Sequence, residues 1–344
     1  MQRWDNLCEA VASVQAQTIP VLETIVVIDH HPDLLARARG KLLGVTLVEN
    51  GGDRGASAAR NTGVKASHGE IVAFLDDDAI ASPRWLEALL RHFGDDSVVG
   101  VGGRLDPLWA NSRPGWFPPE FDWVVGVSYR GMPTDAEPVR NVWSNNMAIR
   151  RQVFDSVGGF RDDFGKVGVR PRPEDTDLCL RTTGESGEGI WIYEPAAAAE
   201  HRVSTRRTTL RYFTYRCFNE GWGKAELAAL NGIGKSTSAE LEYSRHVLPA
   251  ALTRGLREAY HGEAAGISRN LAIVAGFGTV MIGYLASHIA LTFRITRVRR
   301  HHLEMVTERV ADDRRTLIDE TRQAEPKGGH RVDTSPVSYG AHRP

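Results

Sequence analysis

Residues 71–85 read IVAFLDDDAIASPRW, and the rest of the chain can be placed around this stretch. The five apolar residues 71–75 predict a strand that is buried on both faces. Three carboxylates follow it, and Ser82 and Pro83 then offer an N-cap and a first residue for a helix over 83–93. Ligands of open α/β sheets bind at the carboxyl ends of the strands, so we expect the acids at a ligand-binding edge.

The run of Asp76, Asp77 and Asp78 points to a bound cation, because adjacent carboxylates repel one another. Hard oxygen ligands of this kind suit Mg²⁺ or Mn²⁺, which are commonly shared with substrate phosphates. A solvated acidic turn with an aspartate capping the next helix produces the same pattern. The triplet alone therefore leaves both interpretations open.

The composition is that of an ordinary globular protein, with 344 residues, 42% of them hydrophobic and 25% charged. The net charge of -1 gives no indication of nucleic-acid binding. Cys8, Cys179 and Cys217 are too widely spaced for a metal motif or a disulfide framework, which favours a reducing compartment. The polar, helix-patterned N-terminus does not resemble a secretory signal.

The first hundred residues alternate between predicted strands and helices. Helices are predicted at 4–17, 33–41, 56–66 and 83–93, and strands at 25–28, 45–48, 71–75 and 98–101. This order predicts an α/β fold with a mostly parallel, Rossmann-like sheet and helices on both faces. The chain begins on a helix, whereas a parallel sheet of this kind normally opens with a strand.

The second part of the chain is less regular. Residues 104–140 are rich in Pro, Gly and Trp and predict a long functional loop, and the charged, Gly-containing stretch 161–173 predicts a mobile one. The remaining predicted elements are a strand with a turn at 142–151, helices at 152–157, 174–181 and 206–230, and a strand at 190–193 that leads to His201.

Together these pieces resemble family 2 glycosyltransferases with the GT-A fold, over about residues 4–225. The resemblance is carried by VVID (26–29), GASAARNTG (55–63), FLDDD (74–78), NMAIRR (146–151), GGF (158–160) and EDTDL (174–178). Each motif is weak by itself, but their order and spacing are specific. The resemblance implies a nucleoside-diphosphate-sugar donor, a divalent metal and transfer with inversion at the anomeric carbon.

The resemblance assigns the donor site to residues of the first half. Asp29 would hold the base, and Arg60 would reach the base or the diphosphate; a helix cap and a surface arginine are the plainer interpretations. Asp53 stands where the family often has Asn, and it is better suited to accept from the base or from Arg54 than to approach a phosphate.

The acidic triplet and one histidine complete the donor and metal set. The resemblance places Asp76 and Asp77 at the ribose and phosphate and makes Asp78 a metal ligand. His201 follows a strand where several GT-A enzymes place a further metal ligand, although a lone histidine is as often structural.

The catalytic base is assigned to Asp175, because inversion needs a carboxylate near the acceptor hydroxyl. Glu174 beside it could orient the acceptor or raise the pKa of the base by like-charge repulsion. Both residues also suit the first turn of a helix for purely structural reasons. Asn146, Arg216 and Trp222 are the predicted acceptor residues.

The family's first strand, which usually contributes to the nucleotide pocket, is not found before Trp4. A sheet that lacks a central strand has an exposed edge, so we expect a chain extended upstream to be more stable and more active. Comparable melting and turnover of the two would contradict this expectation.

Residues 271–293 form the most apolar segment and are long enough to span a bilayer. Arginines 294, 297, 299 and 300 follow it and favour the cytoplasmic side, and 246–260 suits the membrane interface. The sequence allows a spanning helix, an in-plane or re-entrant helix, which we prefer, or a buried helix of a soluble domain. From about residue 320 the composition is typical of disorder.

The predicted organisation has four parts: a nucleotide-sugar-binding half at 1–103, an acceptor-binding and catalytic half at 104–230, a helical segment at 231–300, and a charged helix with a disordered tail at 301–344. The predicted function is single glycosyl transfer to a lipid-linked or cell-envelope glycan acceptor at the cytoplasmic face of the plasma membrane. A non-catalytic nucleotide-binding or scaffold domain and a metal-dependent nucleotidyltransferase are the alternatives. The sequence indicates neither the sugar nor the nucleotide.

Overall fold

The structure is a computed structural model that describes residues 2–162, 164–167, 170–184 and 188–293. Residues up to Ile289 form one compact unit, and of the chain beyond it residues 290–293 are described. The charged helix and tail predicted for 301–344 lie outside the described residues.

The N-terminal elements are α1 (Gln2–Gln15), β1 (Ile25–Ile28), α2 (Pro32–Lys41), β2 (Thr46–Glu49) and α3 (Ala56–Ala66). β1 and β2 are parallel, with Ile25 opposite Thr46. Apolar side chains at a helical spacing on α1, Leu7 and Val11, pack with Val26 and Ile28 of β1. No backbone pair among the described residues joins β1 to β3, so β1 and β2 form their own two-stranded sheet.

The middle of the chain supplies the main sheet. Its elements are β3 (Ile71–Leu75), β4 (Ala79–Ala81), α4 (Trp85–Leu90), β5 (Val98–Trp109), a 3₁₀ helix (Pro119–Val125), β6 (Glu137–Val139), β7 (Asn146–Arg150), α5 (Arg151–Ser156), β8 (Gly165–Val167), β9 (Arg170–Arg172), α6 (Glu174–Thr183) and β10 (Ile190–Val203).

The C-terminal elements are helical. They are α7 (Leu210–Asn231), α8 (Ile233–Glu242), a π-helical turn (Tyr243–Val247), α9 (Leu248–Tyr260) and α10 (Ala265–Phe293). The apolar helix therefore begins six residues before the predicted start at 271.

The main sheet has the order β3-β7-β5-β10-β4, with β6 also paired to β10. The two long strands β5 and β10 are parallel. β7 is antiparallel to both β3 and β5, so β3 and β5 run in the same direction. Three buried clusters pack on this sheet and beneath α7. The predicted mixed α/β fold with helices around a sheet is confirmed, and the antiparallel strand β7 is a feature that the sequence pattern did not reveal.

The acidic turn differs in one respect from the sequence prediction. The three aspartates connect β3 directly to the short strand β4, which pairs with β10, and α4 begins at Trp85 with Arg84 as its N-cap. The helix predicted from 83 therefore starts two residues later, because the chain stays extended to pair with β10. Residues 104–140, predicted as a loop, contain the end of β5, the 3₁₀ helix and β6. The described part of 161–173, predicted as a mobile loop, forms the β8–β9 hairpin.

Candidate active site

The acidic turn and His201 are brought together by the pairing of β4 with β10, in which Ala79 stands opposite His201. His201 is buried, with 2% of its surface exposed. Its Nε2 lies 3.2 Å from Oδ1 of Asp78, across the turn. The carboxyl end of β3 thus has a buried imidazole beside its carboxylates, as the sequence predicts for the ligand-binding edge.

This group has the chemistry of a divalent metal site. Ligand atoms of Asp76, Asp78 and His201 all lie within 4.8 Å of one another. Nδ1 of His201 is buried and has no hydrogen-bond partner among the described residues. No structural hydrogen bond of the described residues therefore engages this nitrogen of the ring. Two carboxylates and one imidazole fit Mn²⁺, or Mg²⁺ with more water ligands. The residues present therefore suit the metal that the resemblance implies.

Arg207, which the sequence analysis did not single out, stands at the same place. Its guanidinium lies 3.4 Å from Nε2 of His201 and 3.8 Å from Oδ2 of Asp78, and it also donates to the carbonyl of Val125. A cation here offsets the acidic charge of the turn. The signal in the sequence was weak, since Arg207 is one of several basic residues that follow β10.

Arg60 connects the acidic turn to the first turn of α6. Its guanidinium donates to Oδ1 of Asp76 at 2.9 Å and lies 3.5 Å from Oε1 of Glu174, and it rests over the ring of Phe160. Burial acts to lower the pKa of Arg60, but Asp76 and Glu174 raise it overall. The arginine therefore remains charged and holds the carboxylates of the acidic turn and of α6 in one network.

Glu174 and Asp175 form a half-buried pair of neighbouring carboxyls at the cavity. Burial and the neighbouring Asp175 raise the pKa of Glu174 from 4.5 to about 7. Burial also raises the pKa of Asp175, while a hydrogen bond from the Thr176 amide and the charge of Lys224 act to lower it. Adjacent carboxyls in a cavity whose pKa values are both raised are candidates for acid–base catalysis.

Asp177, the third acid in the first turn of α6, has a structural role. Its side chain is fully buried and accepts from Arg161 and Arg181. The three acids at the start of α6 thus divide between a coupled pair facing the cavity and one that joins α6 to the preceding segment.

A cavity of about 890 Å³ is lined by residues of both groups, among them Arg60, Asp76, Glu174, Asp175 and His201. Residues of the acidic turn and of the first turn of α6 therefore face one common space. Its volume suits a ligand larger than a single sugar.

Of the three predicted acceptor residues, Arg216 lines the cavity, whereas Asn146 and Trp222 do not. Asn146 is fully buried: its amide oxygen accepts from Trp85, and its amide nitrogen donates to the carbonyls of Arg104 and Ala197. The side chain therefore holds strands together, and its neighbour Asn145 lines the cavity in its place.

Trp222 has its indole nitrogen bonded to Glu226 on the same helix and its ring beside Phe218. It belongs to α7 and not to the cavity lining.

Several lining residues come from segments in which no motif can be read from the sequence. Aromatic side chains Trp123, Tyr129, Trp143 and Tyr243 form one wall. Burial raises the pKa of Tyr129 to about 12, so its hydroxyl stays neutral. Flat aromatic faces with hydroxyl or indole groups suit amphipathic ligands such as sugars. Because distant segments of the chain contribute these side chains, no local pattern unites them.

A buried ion cluster closes another side of the cavity. Lys224 of α7 lies 2.7 Å from the carboxylate of Glu240 on α8, and Arg140 forms a bidentate salt bridge with the same carboxylate. Although burial opposes ionisation, these cations hold the pKa of Glu240 at about 2. The cluster fixes α8 against the catalytic half of the site.

The remaining predicted donor residues lie outside the cavity lining. Asp29 accepts from Asn50 at 2.7 Å and from the Gly55 amide at 3.1 Å, and the next residue, His30, has a left-handed φ of 51°. These bonds fix the loop between β2 and α3. His30, beside this loop, is a non-glycine residue in a left-handed conformation, which strains its backbone. Asp53 is exposed in that loop, and Asp77 pairs with Arg3.

Comparisons with known proteins concern the family and the fold of the chain. A sequence model described as "Glycosyl transferase family 2" matches residues 1–158. The chain is 34% identical over 229 residues to the Haloferax volcanii "Glucosyl-dolichyl phosphate glucuronosyltransferase". This alignment covers 65% of this chain and 73% of the relative. It is 35% identical over 176 residues to the Mycobacterium tuberculosis "Pre-mycofactocin glycosyltransferase", covering 51% of this chain and 35% of that relative.

One solved structure has a similar fold at low sequence identity. It is the mannosyltransferase PcManGT from Pyrobaculum calidifontis, described as a complex with GDP-Man and Mn²⁺. The superposition has a TM-score of 0.50 at 17% identity and covers 82% of this chain and 83% of the other. The shared architecture is the GT-A fold.

Proposed function

Since this chain belongs to glycosyl transferase family 2, we propose that it moves a sugar from a nucleoside-diphosphate sugar to a lipid-linked or cell-envelope glycan acceptor, with inversion at the anomeric carbon. The observation that carries the proposal is the single cavity shared by Asp76, His201, Glu174 and Asp175, with Arg60 joining its two sides. A donor and an acceptor held in one cavity can meet without a large rearrangement.

The donor would lie at the acidic turn. Asp78 and His201, with Asp76, would hold Mn²⁺ or Mg²⁺, which supplies charge neutralisation for the diphosphate. Arg60 and Arg207 place further positive charge beside that position, where it can stabilise the departing nucleoside diphosphate. Asp29, Asp53 and Asp77 remain proposed nucleotide contacts at the edge of this site.

Asp175 would act as the base. It removes the proton from the acceptor hydroxyl while the oxygen forms a bond to the anomeric carbon from the face opposite the diphosphate. The bond between that carbon and the diphosphate oxygen breaks, and its electron pair leaves with the nucleoside diphosphate. Glu174 keeps a proton up to about pH 7, so it can donate a hydrogen bond to the acceptor below that pH.

The acceptor would occupy the wall formed by the aromatic residues together with Arg216 and Asn145. Its assignment as lipid-linked is supported by the Haloferax relative, whose printed name specifies a glucosyl-dolichyl phosphate. We place the enzyme at the cytoplasmic face of the plasma membrane, where nucleotide sugars are available, with a single transfer per acceptor.

The test measures nucleoside diphosphate released from a panel of UDP-, GDP- and dTDP-sugars, with Mn²⁺ and an extract of polyprenyl-phosphate-containing lipids. One donor should be turned over, and Asp175→Asn should lower turnover at least ~100-fold without loss of nucleotide binding. Asp106→Asn, which removes an exposed carboxylate on β5, is the matched control. Release of pyrophosphate would identify a nucleotidyltransferase, and binding without release would identify a non-catalytic module.

A further inference from the structure

Helix α10 has two apolar faces, and one of them is docked on the catalytic domain. The residues buried along it recur at spacings of seven, three, four, three and four, which is the period of a packed helical seam. They are Gly266, Ile273, Gly276, Val280, Gly283 and Ser287, of which Val280 is partly buried, and Ala272 is buried beside this series.

Glycines make this contact unusually close. A Cβ on Gly276 would lie 2.7 Å from the ring of Phe121, and one on Gly283 would lie 2.1 Å from the carbonyl oxygen of Phe218 on α7. From the other side, a Cβ on Gly221 would lie 1.9 Å from the Val280 carbonyl oxygen. The two backbones therefore nearly touch, and α10 is held to α7 along several turns.

The opposite face of α10 is apolar and uncovered within the described part of the chain. Leu271 is 67% exposed, Val274 61%, Ile282 62%, and Leu285 and Ile289 54% each. The helix has one Arg or Lys, Arg269, which pairs with Glu258 and donates to the Gly115 carbonyl. The outer face thus presents a continuous apolar strip without Arg, Lys, Asp or Glu from Leu271 to Ile289, with the exposed His288 at its flank, and water-exposed surfaces of monomers rarely carry such a strip.

The docked face rules out one membrane arrangement on physical grounds. The seam from 266 to 287 runs for roughly 33 Å at 1.5 Å per residue, which is about the thickness of the hydrocarbon core. A helix that crossed the bilayer along this length would bring the attached domain, with its charged surface, into the hydrocarbon. That cost is prohibitive, so the helix is suited to lie along the membrane surface.

The same helix forms part of the cavity wall. Phe277 and Val280 line the cavity, and Phe277, 39% exposed, stands on the flank between the docked and the outer face. A ligand with an apolar tail can therefore lie against the outer face while its polar head enters the cavity past Phe277. A bilayer is favoured over a second copy of the chain because the strip continues into the cavity wall at Phe277 and, between residues 271 and 289, has His288 as its one exposed polar side chain, fewer than protein interfaces use for hydrogen bonds.

We propose that α10 lies in the plane of a bilayer with its outer face among the acyl chains, and that Phe277 marks the passage by which a lipid-borne acceptor reaches Asp175. The passage at Phe277 rests on the proposed function, whereas the in-plane position of α10 does not. The occupant of the outer face is the lipid surface itself.

Vesicle flotation tests the surface. The probe is vesicles of phosphatidylethanolamine and phosphatidylglycerol at three to one, and the variant is Ile282→Asp with Leu285→Asp. The matched control is Leu22→Asp with Leu43→Asp, two leucines that are 78% and 82% exposed elsewhere on the domain. We expect the α10 variant to lose at least tenfold in vesicle partitioning and the control to behave as the unaltered protein. Equal flotation of all three proteins overturns the proposal, as does a dimer in solution that only the α10 variant disrupts.

Depth measurement tests the orientation. Spin labels at cysteines replacing Leu271, Val274, Ile282 and Leu285 should all report the same shallow depth, whereas a spanning helix would give depths that progress across the bilayer. Nucleotide binding by the double variant Ile282→Asp with Leu285→Asp, measured by calorimetry, should be unchanged. Vesicle binding without nucleotide binding in the unaltered protein would leave the surface intact and remove the proposed function.

Discussion

Replacing Glu174 with glutamine should make the stability of the protein less dependent on pH. Burial and Asp175 raise the pKa of this carboxyl from 4.5 in the unfolded chain to about 7 in the fold. Below pH 4.5 both states are protonated, and Gln is then a close substitute. Between pH 4.5 and pH 7 the carboxyl is ionised in the unfolded chain but still protonated in the fold, so a rise in pH favours unfolding. Above pH 7 the raised pKa lowers the free energy of unfolding by its full amount, about 3 kcal/mol at about 1.4 kcal/mol per pKa unit.

Urea denaturation at pH 5 and at pH 8 measures the effect. The Glu174→Gln protein should gain stability relative to the unaltered protein by up to about 3 kcal/mol on going from pH 5 to pH 8. Glu200→Gln, at an exposed position on β10, controls for the loss of a carboxylate. A difference between the Glu174→Gln and unaltered proteins that is the same at both pH values would refute the assignment of a raised pKa to this pair.

Three further results are expected. Arg207→Gln should bind Mn²⁺ alone roughly 30-fold more tightly in calorimetry, because a unit charge and a divalent charge about 4 Å apart repel by roughly 2 kcal/mol in water; unchanged or weaker binding would show that the guanidinium does not compete with the metal. Asn146→Ala should lower the free energy of unfolding by roughly 2–4 kcal/mol, since it leaves Trp85 and two carbonyls without partners. Asn145→Ala should instead raise the KM for the acceptor with little change in urea midpoint, and the reverse pattern would return Asn146 to the acceptor site.

Much of the fold followed from local patterns. The strand at Ile25–Ile28 and the one at Ile71–Leu75 were predicted with the observed bounds, because short apolar runs bounded by polar turns are the strongest strand signal. The resemblance assigned Asp78 and His201 to one metal site, and ligand atoms of both lie close together with Asp76 beside them. His201 was predicted to follow a strand, whereas it lies within β10.

What the sequence could not supply depends on pairing between distant segments. β4 is three residues long, and only its pairing with β10 makes it a strand. The burial of Asn146 follows from Gly103, where a Cβ would lie 2.6 Å from the Asn146 amide nitrogen. Tyr243 and Trp143 meet in the cavity although a hundred residues of chain separate them. Contacts of this kind have no local periodicity to read.

The donor site is tested most directly by calorimetric titration of nucleoside diphosphates, with and without Mn²⁺, into the unaltered protein and into Asp78→Ala. One nucleotide should bind in a metal-dependent manner, and the loss of the Asp78 carboxylate should abolish that dependence. Asp106→Ala serves as the control for removing an aspartate from the same sheet. Metal-independent binding that Asp78→Ala leaves unchanged would contradict a donor site at the acidic turn.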